Sequence, residues 1–104
     1  MSNPFGNLSD IFKLKNQLED IQKDMGRLQA TGYAGGDMAS VTLDGNNNCI
    51  EVRLSDEAMT LGRQAVETLV AAAINDANSA MNEKRTEYQQ EMGRKLMPNL
   101  YGSN

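Results

Sequence analysis

The sequence of apolar and polar positions divides the chain into two helical stretches on either side of an alternating segment. Over residues 11–28, IFKLKNQLEDIQKDMGRL, the apolar residues Ile11, Leu14, Leu18, Ile21, Met25 and Leu28 recur at alternating steps of three and four. That spacing is close to the ~3.5-residue repeat of a helix packed lengthwise against another helix, whereas a helix lying on a sheet shows a broader face. Ser9 or Asn7 supplies a capping side chain, and only Gly26 disfavours helix, by up to ~1 kcal/mol. The pattern predicts a helix reaching about Gln29, with about 22 residues measuring roughly 33 Å. Such a helix is longer than a small domain needs to cover its own core.

Beyond Gly32, Gly35 and Gly36 the period changes to two. Ala39, Val41 and Leu43 share one face, while Ser40, Thr42 and Asp44 take the other. After the turn-rich run Asp44-Gly45-Asn46-Asn47-Asn48, Ile50, Val52 and Leu54 alternate with Glu51 and Arg53. Two antiparallel strands joined by a short loop follow from this alternation. Two strands alone are barely stable, so a third short strand is expected over residues 30–35, or else a partner. Ser55-Asp56-Glu57 predicts a helix start, with a hydroxyl cap followed by acids near the positive end of the helix dipole. Gly62 divides a short helix from a longer one beginning near Arg63. On the longer one Val66, Leu69, Val70, Ala73, Ile74, Ala77 and Met81 form a wide face suited to a sheet. The face then narrows to Tyr88, Met92 and Leu96, and Pro98 stops the helix. The predicted architecture is a single α+β domain over residues 1–104: a long N-terminal helix, a three-stranded antiparallel sheet, a short helix and a long C-terminal helix. Residues 1–7 and 98–104 are expected to be flexible. The N-terminal stripe should pair with the narrow outer half of the last helix, in the same chain or in a second copy.

Composition limits what such a fold can do. The apolar content of 39% suits a folded chain, yet five aromatics and no Trp leave an aliphatic core in only 104 residues. A core of that size stabilises a lone chain marginally, which favours oligomerisation. No membrane-spanning run or secretory signal is expected. The sole cysteine, Cys49, has no partner for an intrachain disulfide, and with no histidine it also lacks the usual general base. Glu19-Asp20 and Asp56-Glu57 are adjacent on helices and point about 100° apart, so neither pair converges on one reacting atom. Asn75-Asp76 beside the Ala-rich face reads as a buried cap or an interhelical hydrogen bond. The glycines at 32, 35 and 36 match neither phosphate-loop pattern and read as a turn. No enzyme, cofactor, metal or small-molecule substrate is expected.

The cations point elsewhere. The net charge is −4, so attraction to nucleic acid must come from local patches. Lys13 and Lys15 on the first helix, and Lys84, Arg85, Arg94 and Lys95 on the last, fall in the outer halves of the predicted helices. Lys23 and Arg27 lie nearer the sheet. Phosphate binding requires only that some cations cluster where a duplex reaches them. Glu83, Glu87 and Glu91 are interleaved with the last set, a mixture that also serves plain solubility.

Two segments together resemble a known family. TGYAGGDMASVTLDGNNNCIEVRLS, residues 31–55, is similar to the glycine-rich strand, Val-rich strand, Gly turn and third strand of the YbaB/EbfC nucleoid-associated proteins. ETLVAAAINDANSAMNEK, residues 67–84, is similar to the Leu-Val-Ala-Ala-rich helix carrying Asn-Asp-Ala that characterises them. The chain departs from the pattern at Asp37, Met38, Ser55-Asp56, Thr68 and the end KLMPNLYGSN. The resemblance implies a bacterial protein of the cytoplasm and nucleoid with an α-β-β-β-α layout. It implies a homodimer whose sheets pack together and whose long helices project around double-stranded DNA, influencing nucleoid organisation or gene expression. Dimerisation is expected to bury Ala39, Val41, Leu43, Ile50, Val52 and Leu54 with Leu69, Val70 and Ile74. The phosphate contacts are assigned to Lys13, Lys15, Lys84, Arg85, Arg94 and Lys95. The alternative is a protein-interaction module whose helices clasp a partner protein without touching DNA.

Overall fold

A computed structural model of the chain describes residues 8–96. The flexible ends expected at 1–7 and 98–104, and the stop at Pro98, lie outside them. Six elements follow in order: α1 Leu8–Gly26, β1 Gln29–Ala34, β2 Ala39–Asp44, β3 Cys49–Leu54, α2 Asp56–Met59 and α3 Arg63–Leu96. The strands form one antiparallel sheet in the order β1-β2-β3. This is the architecture expected from the hydrophobic periodicity, with the third strand in the place anticipated for it. One boundary differs. α1 ends at Gly26 rather than near Gln29, because the Gly26 carbonyl accepts a hydrogen bond from the Gly45 amide at 3.2 Å and the chain turns directly into β1.

The sheet has one covered and one open face. β2 alternates strictly, with Ala39, Val41 and Leu43 buried and Ser40, Thr42 and Asp44 half-exposed. The buried set packs under Ala73 and Ala77 of α3, with Ala34, Leu54 and Leu69 around it. On the opposite face Thr31 and Thr42 stand directly across from each other and share a hydroxyl hydrogen bond of 2.8 Å. Arg53 and Glu51 pair there at 3.2 Å.

The packing of α3 on β1 is unusually close, and residue size explains it. A Cβ placed on Gly32 would stand 2.0 Å from the Ala77 amide nitrogen and 2.4 Å from the Ala73 carbonyl oxygen. Ala73, Ala77 and Met81 repeat every fourth residue and are fully buried, so α3 presents small side chains where it crosses the strand and Met81 just beyond. Backbone therefore rests nearly on backbone.

Two further bonds join this helix to the outer edge of β1. Asp76 Oδ2 accepts from the Tyr33 amide at 2.8 Å, and Lys84 Nζ donates to the Gln29 carbonyl. Asp76 is therefore neither a buried cap nor a bridge between helices, as its place beside the Ala-rich face suggested: it is exposed and bonds a strand, where it occupies an edge that would otherwise invite another chain. The short helix forms as its sequence directs. Ser55 Oγ accepts from the Ala58 amide at 3.0 Å, and Gly62 separates α2 from an α3 that begins at Arg63.

Gly32→Ala forces α3 off the strand. Such overpacking against backbone should destabilise the fold by roughly 3 kcal/mol, which urea unfolding will register as a lower midpoint at similar slope. Gly36→Ala, with open space at its Cβ position but a left-handed φ of 68°, should show only the smaller backbone cost of losing a glycine there.

Candidate nucleic-acid interface

The β2–β3 turn is where the two long helices meet the sheet. Its Asp44 carboxylate accepts from the amides of Asn46 and Asn48, both at 2.9 Å, and Asn47 takes a left-handed φ of 67°. Asx turns of this type use the short polar side chains that crowd this segment. The bonds donated to Asp44 favour its charged form, the Asn48 amide most strongly, and hold its pKa below the ordinary 3.8. Gly45 lies under the end of α1, where an added Cβ would be 1.7 Å from the Met25 carbonyl oxygen. Arg85 approaches from α3. Its Nη2 donates to the Gly45 carbonyl at 2.9 Å and to Asn47 Oδ1 at 2.7 Å, and its Nη1 reaches Asn82 Oδ1 at 3.2 Å.

Beyond this junction both helices run past the sheet, and the described chain measures 71 × 30 × 15 Å. They meet one another through Tyr88, whose hydroxyl bonds Asp24 Oδ2 at 3.2 Å. Burial raises the Tyr88 pKa, and the Asp24 carboxylate raises it further, so the phenol remains a donor. The regular stripe of α1 is shared between this contact and solvent. Leu14, Ile21 and Met25 are half-buried, as are Tyr88, Met92 and Gly93 of α3, whereas Ile11 and Leu18 are exposed. Part of the partner anticipated for the stripe is therefore α3 of the same chain.

The six nominated cations fall into two groups. Lys13, Lys15, Arg94 and Lys95 are exposed near the far ends of α1 and α3. Lys95 lies 3.7 Å from Glu91, one turn back; among the described residues no ion pair engages Lys13, Lys15 or Arg94. Lys84 and Arg85, by contrast, do not lie on the projecting part. α3 needs most of its 34 residues to cross the sheet and reach the turn, so these two cations sit at the junction with their hydrogen bonds directed inward. Equal spacing along a helix does not reveal where the sheet beneath it ends. Arg27, at the base of α1, stands 3.8 Å from Asp24.

The apolar residues nominated for an interface also divide. Ala39, Val41 and Leu43 are covered by the chain's own α3 and do not form an outer surface. Val52 and Leu54 are the cross-strand neighbours of Val41 and Ala39, yet α3 lies chiefly over β1 and β2, and of β3 Leu54 packs at the edge of its core cluster. Ile50 and Val52 consequently remain 48% exposed on β3. Ile74 is about 200° round α3 from Asp76, which grips the outer edge of β1, so it faces the uncovered side. It is exposed, with Leu69 and Val70 half-buried behind it, while Met59 and Leu61 add exposed apolar surface on and after α2. These last two residues were missed in the sequence, where nothing marks a helix only four residues long as the flank of an apolar surface.

This α+β chain, with one helix-covered sheet and two helices projecting from one end, defines a class shared by bacterial proteins. Residues 1–96 match the YbaB/EbfC DNA-binding family, and the chain belongs to that family. A nucleoid-associated protein of Xylella fastidiosa strain 9a5c is 36% identical over 92 residues, covering 85% of this chain and 82% of that protein. A nucleoid-associated protein of Xanthomonas campestris pv. campestris strain B100 is 35% identical over 86 residues, covering 79% and 80% respectively. The crystal structure of an uncharacterized protein from Helicobacter pylori shares the fold, with a TM-score of 0.58 at 21% identity over 79% of this chain and 96% of that one. Among the described residues no helix is long and apolar enough to cross a membrane.

Arg85→Ala removes three hydrogen bonds from the junction and leaves two turn acceptors to water. A loss of roughly 2 kcal/mol is expected in chemical denaturation, whereas Arg94→Ala at the exposed tip should change stability by less than about 0.5 kcal/mol. Asp44 has a lowered folded-state pKa, so its contribution is present above 3.8 and is lost as pH falls through the lower folded value. The stability difference between the protein and Asp44→Ala should accordingly shrink when denaturation is repeated below that pH.

Proposed function

We propose that the protein acts as a homodimer in the bacterial cytoplasm, on the nucleoid, where the projecting helices grip double-stranded DNA by its phosphates and influence nucleoid organisation or gene expression. Membership of a DNA-binding family and relatives named as nucleoid-associated support the partner. The geometric support is a single observation: α1 and α3 leave the same end of the sheet carrying Lys13, Lys15, Arg94 and Lys95 exposed beyond it. Cations at the ends of long supports reach a duplex although the chain as a whole is acidic. Lys84 and Arg85 contribute to this grip chiefly by fixing the base of the arms, and their phosphate contacts are secondary.

The dimer forms over the uncovered part of the sheet, through Ile50, Val52, Leu54, Ile74, Leu69 and Val70. An exposed apolar strand beside an exposed apolar helix flank is costly to leave in water, at ~25 cal/mol per Å². The free edge of β3 lies alongside, while that of β1 is already occupied by Asp76 and Lys84. Pairing two chains there doubles the number of cationic arms.

A second reading has its own support. Ile11 and Leu18 of the α1 stripe remain 44% and 48% exposed, as they would if the helices clasped a partner protein. Affinity capture before and after nuclease treatment separates the readings, since only protein-mediated capture survives nuclease.

Sedimentation with and without a short duplex should give a two-chain mass that increases on adding DNA. Val52→Glu with Ile74→Glu should give one-chain mass and weakened DNA binding. In mobility-shift titrations, neutralising Lys13, Lys15, Arg94 and Lys95 to Gln should flatten the slope of log affinity against log salt by about 0.9 per phosphate contact removed. A one-chain mass persisting at high concentration, or affinity indifferent to salt, overturns the proposal.

A further inference from the structure

The outer part of α1 carries an aromatic that the fold does not use. Phe12 is 58% exposed and Leu8, one turn earlier on the same face, is 68% exposed. At 3.6 residues per turn, Phe12 lies roughly 150° round the helix from the centre of the stripe that includes Leu14, Ile21 and Met25. It therefore points away from α3. Nor does it belong to the apolar face on β3: Phe12 precedes Gly26, the residue docked on the β2–β3 turn, by roughly 21 Å of helix at ~1.5 Å per residue. Lys13 adjoins it in sequence and Lys15 follows three positions on, beside it on the helix surface. Glu19 lies one turn further in on that face and limits how far an anion can extend toward the sheet.

An apolar ridge bordered by cations has the chemistry of a site for something whose outside is anionic and whose inside is flat and apolar. Duplex DNA fits both requirements, through phosphates on the strands and stacked bases between them. Resting on the reading of the preceding subsection, we propose that Leu8 and Phe12 form a wedge that presses against a base step of the bound duplex, while Lys13 and Lys15 hold the neighbouring phosphates. The cations then set affinity and salt response, and Phe12 locally unstacks and bends the DNA. The arms thereby deform the duplex as well as hold it, and steps that unstack easily are favoured without any hydrogen-bond reading of sequence.

The full-length protein and its Phe12→Ala and Phe12→Leu variants are compared on a short duplex containing 2-aminopurine and end-labelled for energy transfer. The protein should raise 2-aminopurine fluorescence and shorten the end-to-end distance. Phe12→Ala should abolish both signals and weaken affinity about tenfold, as removal of a base-contacting aromatic does, with the salt slope unchanged. Phe12→Leu, which keeps an apolar wedge, should retain most of the bend. Circular dichroism and sedimentation confirm that the variants keep helix content and mass. If Phe12→Ala binds, bends and unstacks as the parent does, the wedge is overturned while phosphate binding stands. If the variant loses association mass, the ridge is a contact between copies, and the wedge is again overturned. A parent protein that binds no duplex overturns both the wedge and the reading on which it rests.

Discussion

The contact between α3 and Gly32 governs the rest of the molecule. Because Gly32 has no side chain, and Ala73 and Ala77 have almost none, helix backbone settles on strand backbone. At that distance Asp76 reaches the Tyr33 amide and Lys84 the Gln29 carbonyl, so one helix both covers the inner face of β1 and occupies its edge. A helix held so near one side of a three-stranded sheet cannot also cover the other side. Ile50 and Val52 are left uncovered for this reason, and the location of the proposed dimer contact follows from where the glycine stands.

The same seating directs the arms. α3 is anchored along β1 and again by Arg85 at the β2–β3 turn, and only then runs beyond the sheet. α1 is fixed at that turn as well, through the close approach of Met25 and Gly26 to Gly45. Tyr88 and Asp24 then tie the helices together just beyond the junction. In the proposed grip, the bonds at the base set the separation of the cations carried further out.

Local electrostatics agree with this division. Inner cations are consumed by carbonyl and amide oxygens, and their charge serves to hold the fold together. Outer cations are hydrated and mixed with acids such as Glu91, so any binding through them responds to salt. The acidic net charge and membership of a DNA-binding family are compatible, since in the proposed grip a duplex meets the ends of the arms before it meets the average of the molecule.

The elements themselves were legible in the linear pattern, because helix and strand periods are local properties. The three-and-four stripe of α1, the alternation of β2 and β3, the Ser55 cap and the break at Gly62 each depend on residues close in sequence. The stripe also indicated a helical partner, which proved to be in part α3 of the same chain. What the pattern did not contain was distance between elements. It gave Lys84 and Arg85 the same standing as Arg94 and Lys95, since nothing local reveals how many turns of α3 the sheet takes up. It likewise placed Val41 and Val52 on one surface without revealing that α3 covers the first and not the second. Those outcomes were decided by how deeply a helix of alanines settles onto a glycine, a contact made across more than forty residues of chain.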